Sequence, residues 1–146
     1  MKQSARTSDA VHIMLFMHER RGGRITSAQI ATSIRTNPAC VRLLMSRLRE
    51  AGLIITARGS ATPAISRPLG EITLLDVFRA VEDSQALLRL DTHTNPDCGV
   101  GVNIQKALGM HYQKVQEAAE RQMASITLED VWNTYEDLAK KGGPAA

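Results

Sequence analysis

Apolar residues recur at helical spacing over most of this chain, and the pattern is broken once by a short alternating stretch. Between residues 8 and 20, Ala10, Val11, Ile13, Met14, Leu15, Phe16 and Met17 are apolar nearly all round, which predicts a buried helix ending before Arg20-Arg21-Gly22-Gly23. A second helix announces its start at Thr26. Thr26 and Gln29 have capping-box spacing, and Ile25 and Ile30 stand where a hydrophobic staple would close around it. It carries Ile30, Ala31 and Ile34 inward and gives way at Arg35-Thr36-Asn37, because Pro38 disfavours a helical conformation at the residue before it. Asn37 as cap and Pro38 at the first position then open a third helix, where Val41, Leu44, Met45 and Leu48 form one apolar stripe. Gly52 supplies its left-handed stop.

Leu53 to Thr56 reads as a strand, Gly59 to Pro63 as a turn and Ala64 to Pro68 as a returning strand. Thr73 with Asp76 starts a further helix, and its Leu74, Leu75, Val77, Phe78 and Val81 fold back on the domain until Asp83-Ser84. Ile104, Leu108, Tyr112, Val115, Ala119, Met123 and Ile126 follow at steps of four, four, three, four, four and three residues along one long helix. That stripe requires a partner, either its own domain or a two-fold mate as in most homo-oligomers. Leu128, Val131, Trp132, Tyr135 and Leu138 add a last amphipathic helix, and the residues beyond 140 are expected to fray. The predicted fold is mainly α: a winged helix-turn-helix over residues 1–84 with a small β-hairpin wing, a linker or sensor loop over 85–100, and dimerisation helices over 101–146.

Composition narrows the class. The 146 residues, 43% of them apolar, suffice for one ordinary globular unit. No stretch has the apolar length of a membrane span and no signal-peptide pattern opens the chain, so a cytoplasmic location without membrane partners is expected. Aromatics at 3% are too scarce for base-stacking platforms of the kind single-strand binders use. The modest net charge of +3 conceals an asymmetry. Residues 1–70 hold eleven basic and three acidic side chains, a net +8, whereas residues 71–146 hold seven and twelve, a net −5. All the basic residues of the first half except Lys2 are arginine, which suits planar recognition of phosphate and guanine. A module of this kind meets a polyanion with one face.

The apolar stripe of the third helix fixes which face that is. At about 100° per residue the opposite side holds Ala39, Leu43 and Ser46, edged by Arg42 and Arg49 on one flank and by Cys40 and Arg47 on the other. Arginine reads guanine edges and phosphates, while Ser46 and Asn37 can bond either. Thr26 and Ser27 at the start of the preceding helix, with Arg35 and Thr36 in the turn, complete the expected contacts to double-stranded DNA. In the wing, Arg58 and Arg67 lie at the base and Ser60 and Thr62 at the tip, fit to touch phosphates or enter a minor groove. The competing expectations are a basic helix that is merely solvated, a winged helix used for protein contact, and a cysteine-dependent enzyme built on Cys98 and His93. The last lacks a convincing pocket, base or oxyanion donor.

The stretches TSAQIATSIRTNPACVRLLMSRLREAGLI (26–54), RPLGEITLLDVFRAVED (67–83) and NPDCGVG (95–101) together resemble the Rrf2 family of bacterial winged-helix regulators. That family includes regulators of iron–sulfur clusters, nitric-oxide sensing and cysteine metabolism. The resemblance runs from about residue 8 to 126 and implies a homodimeric repressor on a palindromic operator. It departs in the wing, where RGSATPAISRP lacks the family's Gly-Gly-aromatic tip. Cluster-holding members place three cysteines near NPDCGVG, because cluster irons require thiolate ligands. This chain has Cys98 there and its other cysteine, Cys40, on the third helix, so neither a cluster nor another cofactor or metal is expected. Cys98 and Cys40 remain candidate thiol sensors, with burial as small hydrophobes the plainer alternative. No effector and no operator sequence can be read from the chain.

Overall fold

A computed structural model describes residues 4–56 and 62–142. Its elements follow in the order α1 (Arg6–Glu19), α2 (Ser27–Ile34), α3 (Pro38–Glu50), β1 (Ile54–Thr56), β2 (Pro63–Ile65), a 3₁₀ turn (Leu69–Glu71), α4 (Leu74–Val81), α5 (Gly99–Ser125) and α6 (Leu128–Lys140). This is a winged helix-turn-helix followed by a long helix and a returning one. The starts of α2 and α3 fall where local chemistry puts them. The Thr26 hydroxyl accepts from Gln29 N at 3.2 Å while Thr26 N donates to Gln29 Oε1 at 3.0 Å, and Asn37 Oδ1 accepts from Cys40 N at 2.9 Å. Each cap satisfies a helix N–H that has no intrahelical partner. Between the two helices Arg35 takes a left-handed φ of 66°, the only non-glycine residue to do so among those described.

The core lies where α1, α2, α3 and α4 meet. Ile13 and Met14 of α1, Ile30 of α2, Val41 and Leu48 of α3 and Val77 of α4 are fully or nearly fully buried, and no described polar side chain is buried with them. β1 and β2 pair antiparallel in the register Ile54 with Ile65, Ile55 with Ala64 and Thr56 with Pro63. Ile54 plugs the core while Ile55 faces out. The returning strand is shorter than the predicted 64–68 and starts one residue earlier. Ser66 just beyond it still donates its N–H to Leu53 O at 3.0 Å and its hydroxyl to Gly52 O, and Pro68 leads into the 3₁₀ turn.

The sequence gives no hint of how α6 is placed. Thr73 and Thr127, the caps of α4 and α6, lie side by side as an antiparallel bridge, with Leu74 N donating to Ile126 O at 2.9 Å and Leu128 N to Ile72 O at 2.8 Å. Each threonine also closes its own capping box, with Asp76 and Asp130 respectively. The pairing inserts Leu128 fully into the core of the winged helix and lays Trp132 against α1, its ring meeting the edge of His18 at 4.6 Å and Tyr135 at 4.9 Å. α6 therefore packs on the same core as α1 to α4.

Two consequences are measurable. Leu128→Ala leaves a cavity under the α4–α6 bridge and is expected to cost about 2–5 kcal/mol; urea unfolding followed by the fluorescence of Trp132, the single tryptophan, reads it. Burial under α6, with Arg21 adding its charge, holds the His18 imidazole below its ordinary pKa of 6.5. On acidification the unfolded chain therefore takes up that proton first, so His18 favours folding fully above pH 6.5 and less as pH falls below it. His18→Phe keeps an aromatic edge beside Trp132, and its urea midpoint should fall less over that range than the wild type's.

Candidate nucleic-acid interface

α3 is held by its stripe of Val41, Leu44, Met45 and Leu48, all buried. Ala39, Cys40, Arg42 and Leu43 are thereby turned outward and exposed, with Ser46 half-buried beside them. Leu43 is 49% exposed, an apolar side chain in the middle of a basic surface and well suited to a thymine methyl group. Arg42 at this face, Arg35 in the turn and Arg49 at the end of α3 are exposed, and no ion pair engages them among the described residues. Arg24, which the sequence reasoning passed over, is equally exposed two residues before the α2 cap and equally unpaired among the described residues. Its signal was available: a cation beside a helix N-terminus bearing no acidic residue in its first turn.

The polar groups of the turn serve two ends. Thr26 and Asn37 are caps, so one face of each side chain is already committed to the backbone. Ser27 and Thr36 are half-buried at the corresponding helix end and turn.

Two of the expected contact arginines are directed elsewhere. Arg47 Nη1 donates to Val81 O at 2.9 Å and to Asp83 Oδ1 at 2.7 Å, so its guanidinium closes the end of α4 instead of pointing out from α3. The physical reason is its edge position, from which a long side chain reaches the carbonyl end of α4, where a cation is favoured. Arg67 Nε donates to Glu71 O at 3.0 Å and Nη2 approaches Asp76 Oδ2 at 3.5 Å, which ties the foot of the wing to the 3₁₀ turn and the start of α4. Thr62 is half-buried just before β2, whereas Arg58 and Ser60 lie outside the described residues.

Cys98 caps α5 without a side-chain bond, and Cys40 lies in the first turn of α3; both thiols are free and exposed. Cys98 lines a shallow open hollow with Val100, Asn103 and Ile104. His93 Nδ1 lies 3.5 Å from Asp91 Oδ1, which also accepts from His93 N at 2.9 Å, and no group of three or more His, Cys, Asp or Glu side chains able to hold a metal ion occurs among the described residues. No described helix is long and apolar enough to cross a membrane.

A helix-turn-helix with an outward arginine surface and a two-stranded wing defines a winged-helix DNA-binding protein. The chain belongs to the Rrf2 family, described as iron-dependent transcriptional regulators, whose sequence model matches residues 3–134. It is 35% identical over 132 residues to YwnA of Bacillus subtilis, described as an HTH-type transcriptional regulator, across 89% of this chain and 96% of that one. A crystal structure described as a DNA-binding protein superposes with a TM-score of 0.69 at 33% identity, covering 87% of this chain and 98% of the other. The fold is also that of CymR, the global cysteine regulator of Bacillus subtilis, with a TM-score of 0.64 at 23% identity over 90% of this chain and 95% of that one. The protein is thus a DNA-binding transcriptional regulator and not an enzyme.

Among the described residues the two cysteines do not form the donor set of an iron–sulfur cluster. An iron–sulfur cluster requires several thiolates in one place, and the two cysteines stand apart, one opening α3 and the other opening α5.

These geometries separate two arginines five residues apart on α3. Each phosphate neutralised contributes about 0.9 to the slope of log affinity against log salt. Arg42→Ala should lose roughly that increment on duplex DNA, while Arg47→Ala should keep the wild-type slope and lower the urea midpoint. Fluorescence anisotropy over a salt series distinguishes them, and a reduced slope in Arg47→Ala would show that its guanidinium swings out to DNA.

Proposed function

We propose that the protein is a homodimeric repressor that sets the α3 helices of two subunits into a palindromic operator and answers to a signal other than iron. The observation that carries the dimer is α5. In its 27 residues no side chain is buried, and Val100, Ile104, Leu108 and Val115 of its apolar positions are 68, 52, 40 and 47% exposed. The C-terminal part of the predicted stripe differs. Ala119, Met123 and Ile126 are half-buried, as is Tyr112, where α5 rests on α4 and Arg79 pairs with Glu120 at 3.3 Å. Apolar side chains left in water on one face of a helix gain by burial, and a second copy related by two-fold symmetry covers the same residues on both sides.

On this reading the direct contacts come from Arg42, Leu43, Ser46 and Ala39 in the major groove. Thr26, Ser27, Arg35, Thr36 and Asn37, joined by Arg24, take the flanking phosphates, and the wing takes a neighbouring groove. Residues 85–100 then form the linker that carries the signal. The exposure of both free thiols favours an oxidant as that signal, with Cys98 beside the α5 surface and Cys40 beside the DNA.

Selection of duplexes by the purified protein, with and without oxidant, tests the whole of this. The expected product is an inverted repeat, bound by a species that sediments as a dimer. Leu108→Glu should sediment as a monomer and lose most of its preference for the repeat over a single half-site. Sequence-blind binding by the wild-type protein would instead make the winged helix a protein-contact module.

A further inference from the structure

The end of α4 holds both the recognition helix and the chain that runs onto α5. Residues 81 to 83 bond two helices at once. Arg47 of α3 donates to Val81 O and to Asp83 Oδ1. Arg6 of α1 pairs with the other carboxylate oxygen, Asp83 Oδ2. Glu82 Oε1 accepts from Thr7 N at 3.1 Å and from Thr7 Oγ1 at 2.8 Å. Two residues beyond Asp83 the chain is gripped by α5 through one side-chain amide. Gln116 Nε2 donates to Gln85 O at 2.6 Å, and its Oε1 accepts from Leu87 N at 3.0 Å. The recognition helix and the long helix are therefore joined through five consecutive residues of backbone, 83 to 87.

We propose that Asp83 is a positioning residue for DNA binding: through Arg47 it sets the seating of α3 according to where Gln116 of α5 holds residues 85–87. The inference rests on α3 as the DNA-reading helix. Energetics favour a positional role over a stabilising one. The Asp83 side chain is 66% exposed, and ion pairs so exposed add little to folding. Its two arginines keep the carboxyl below its ordinary pKa of 3.8, Arg6 by its hydrogen bond first and Arg47 second, so the charge is present throughout the neutral range. Arg47 is only 26% exposed and makes two bonds from one nitrogen, so its side chain follows Asp83 when residues 83–87 shift. Nothing on the DNA-facing side of α3 takes part. Displacing the 85–87 segment thus alters how α3 is presented without altering which phosphates it meets.

A double-mutant cycle on the full chain tests this with a duplex selected by the protein. Gln116→Ala should weaken binding roughly three- to tenfold, the range of couplings carried by such networks, with the salt slope unchanged. In an Asp83→Ala background Gln116→Ala should have no further effect, because the connection to Arg47 is already cut. Asp83→Asn, which keeps the side-chain size, should behave as Asp83→Ala does, and sedimentation and urea midpoints confirm equal assembly and folding. Full affinity in Gln116→Ala, or effects of the two substitutions that simply add, would overturn the proposal. Arg42→Ala in the same assay loses affinity and slope whether or not Asp83 couples the helices, so a misplaced DNA face is told apart from a missing connection.

Discussion

Burial of Val41, Leu44, Met45 and Leu48 fixes the rotation of α3 about its own axis, and the rest of the molecule is arranged around that constraint. Each such side chain gains on the order of 1.5–3 kcal/mol by leaving water, whereas an exposed ion pair contributes about 0–1 kcal/mol. The apolar stripe therefore decides which way the helix faces, and the arginines occupy what it leaves. α1 and α4 supply the surfaces that receive the stripe, and α6 fastens α4 from behind through the Thr73–Thr127 bridge and Leu128. A helix so held presents Arg42 and Leu43 without their needing any structural partner.

What the sequence disclosed follows from the range of the interactions involved. The capping boxes at Thr26, Thr73 and Thr127 act within one turn, and so does the Asn37–Pro38 start of α3; helix starts were accordingly legible at Thr26, Asn37 and Thr73. The face of α3 was legible too, because helical periodicity alone sorts Leu44 from Leu43. Arg47 and Arg67 were not. Both stand on the edge of a basic surface, and what removes them from it is a carbonyl or carboxylate that only the folded chain brings near. Edge arginines are ambiguous for this reason: their long stems reach either way, and the choice is made by the nearest helix terminus. The pairing of the α4 and α6 caps was hidden likewise, since each threonine shows its own box but not its neighbour.

The α5 stripe shows the converse case. Its spacing announced a helix with an apolar side, and the structure divides that side into a half-buried C-terminal part on α4 and an exposed N-terminal part. Periodicity reveals that a surface wants cover but carries no information on whether the cover comes from the same chain. The same holds for cysteines: their count argued against a cluster, and their positions at the first turn of α3 and the cap of α5 now place the two thiols in different parts of the fold.

Charge separation along the chain acquires a physical meaning once the ion pairs are known. Of the eleven cations in residues 1–70, Arg6, Arg47 and Arg67 are taken by Asp83 and Asp76, carboxylates of the acidic second half. These pairs knit α1, α3 and the foot of the wing to α4, leaving Arg20, Arg21, Arg24, Arg35, Arg42 and Arg49 exposed without ion pairs among the described residues, Arg20 over the Phe16 ring and Arg21 on the His18 carbonyl. At physiological ionic strength fields are screened beyond about 8 Å, so a net charge of +3 steers weakly at a distance. On the proposed reading, attraction to a duplex then grows on close approach of the α2–α3 side, where Arg24, Arg35, Arg42 and Arg49 are exposed. The acidic half thus neutralises three cations of the basic half, and what stays exposed on the α2–α3 side is the charge that the proposed mode of binding uses.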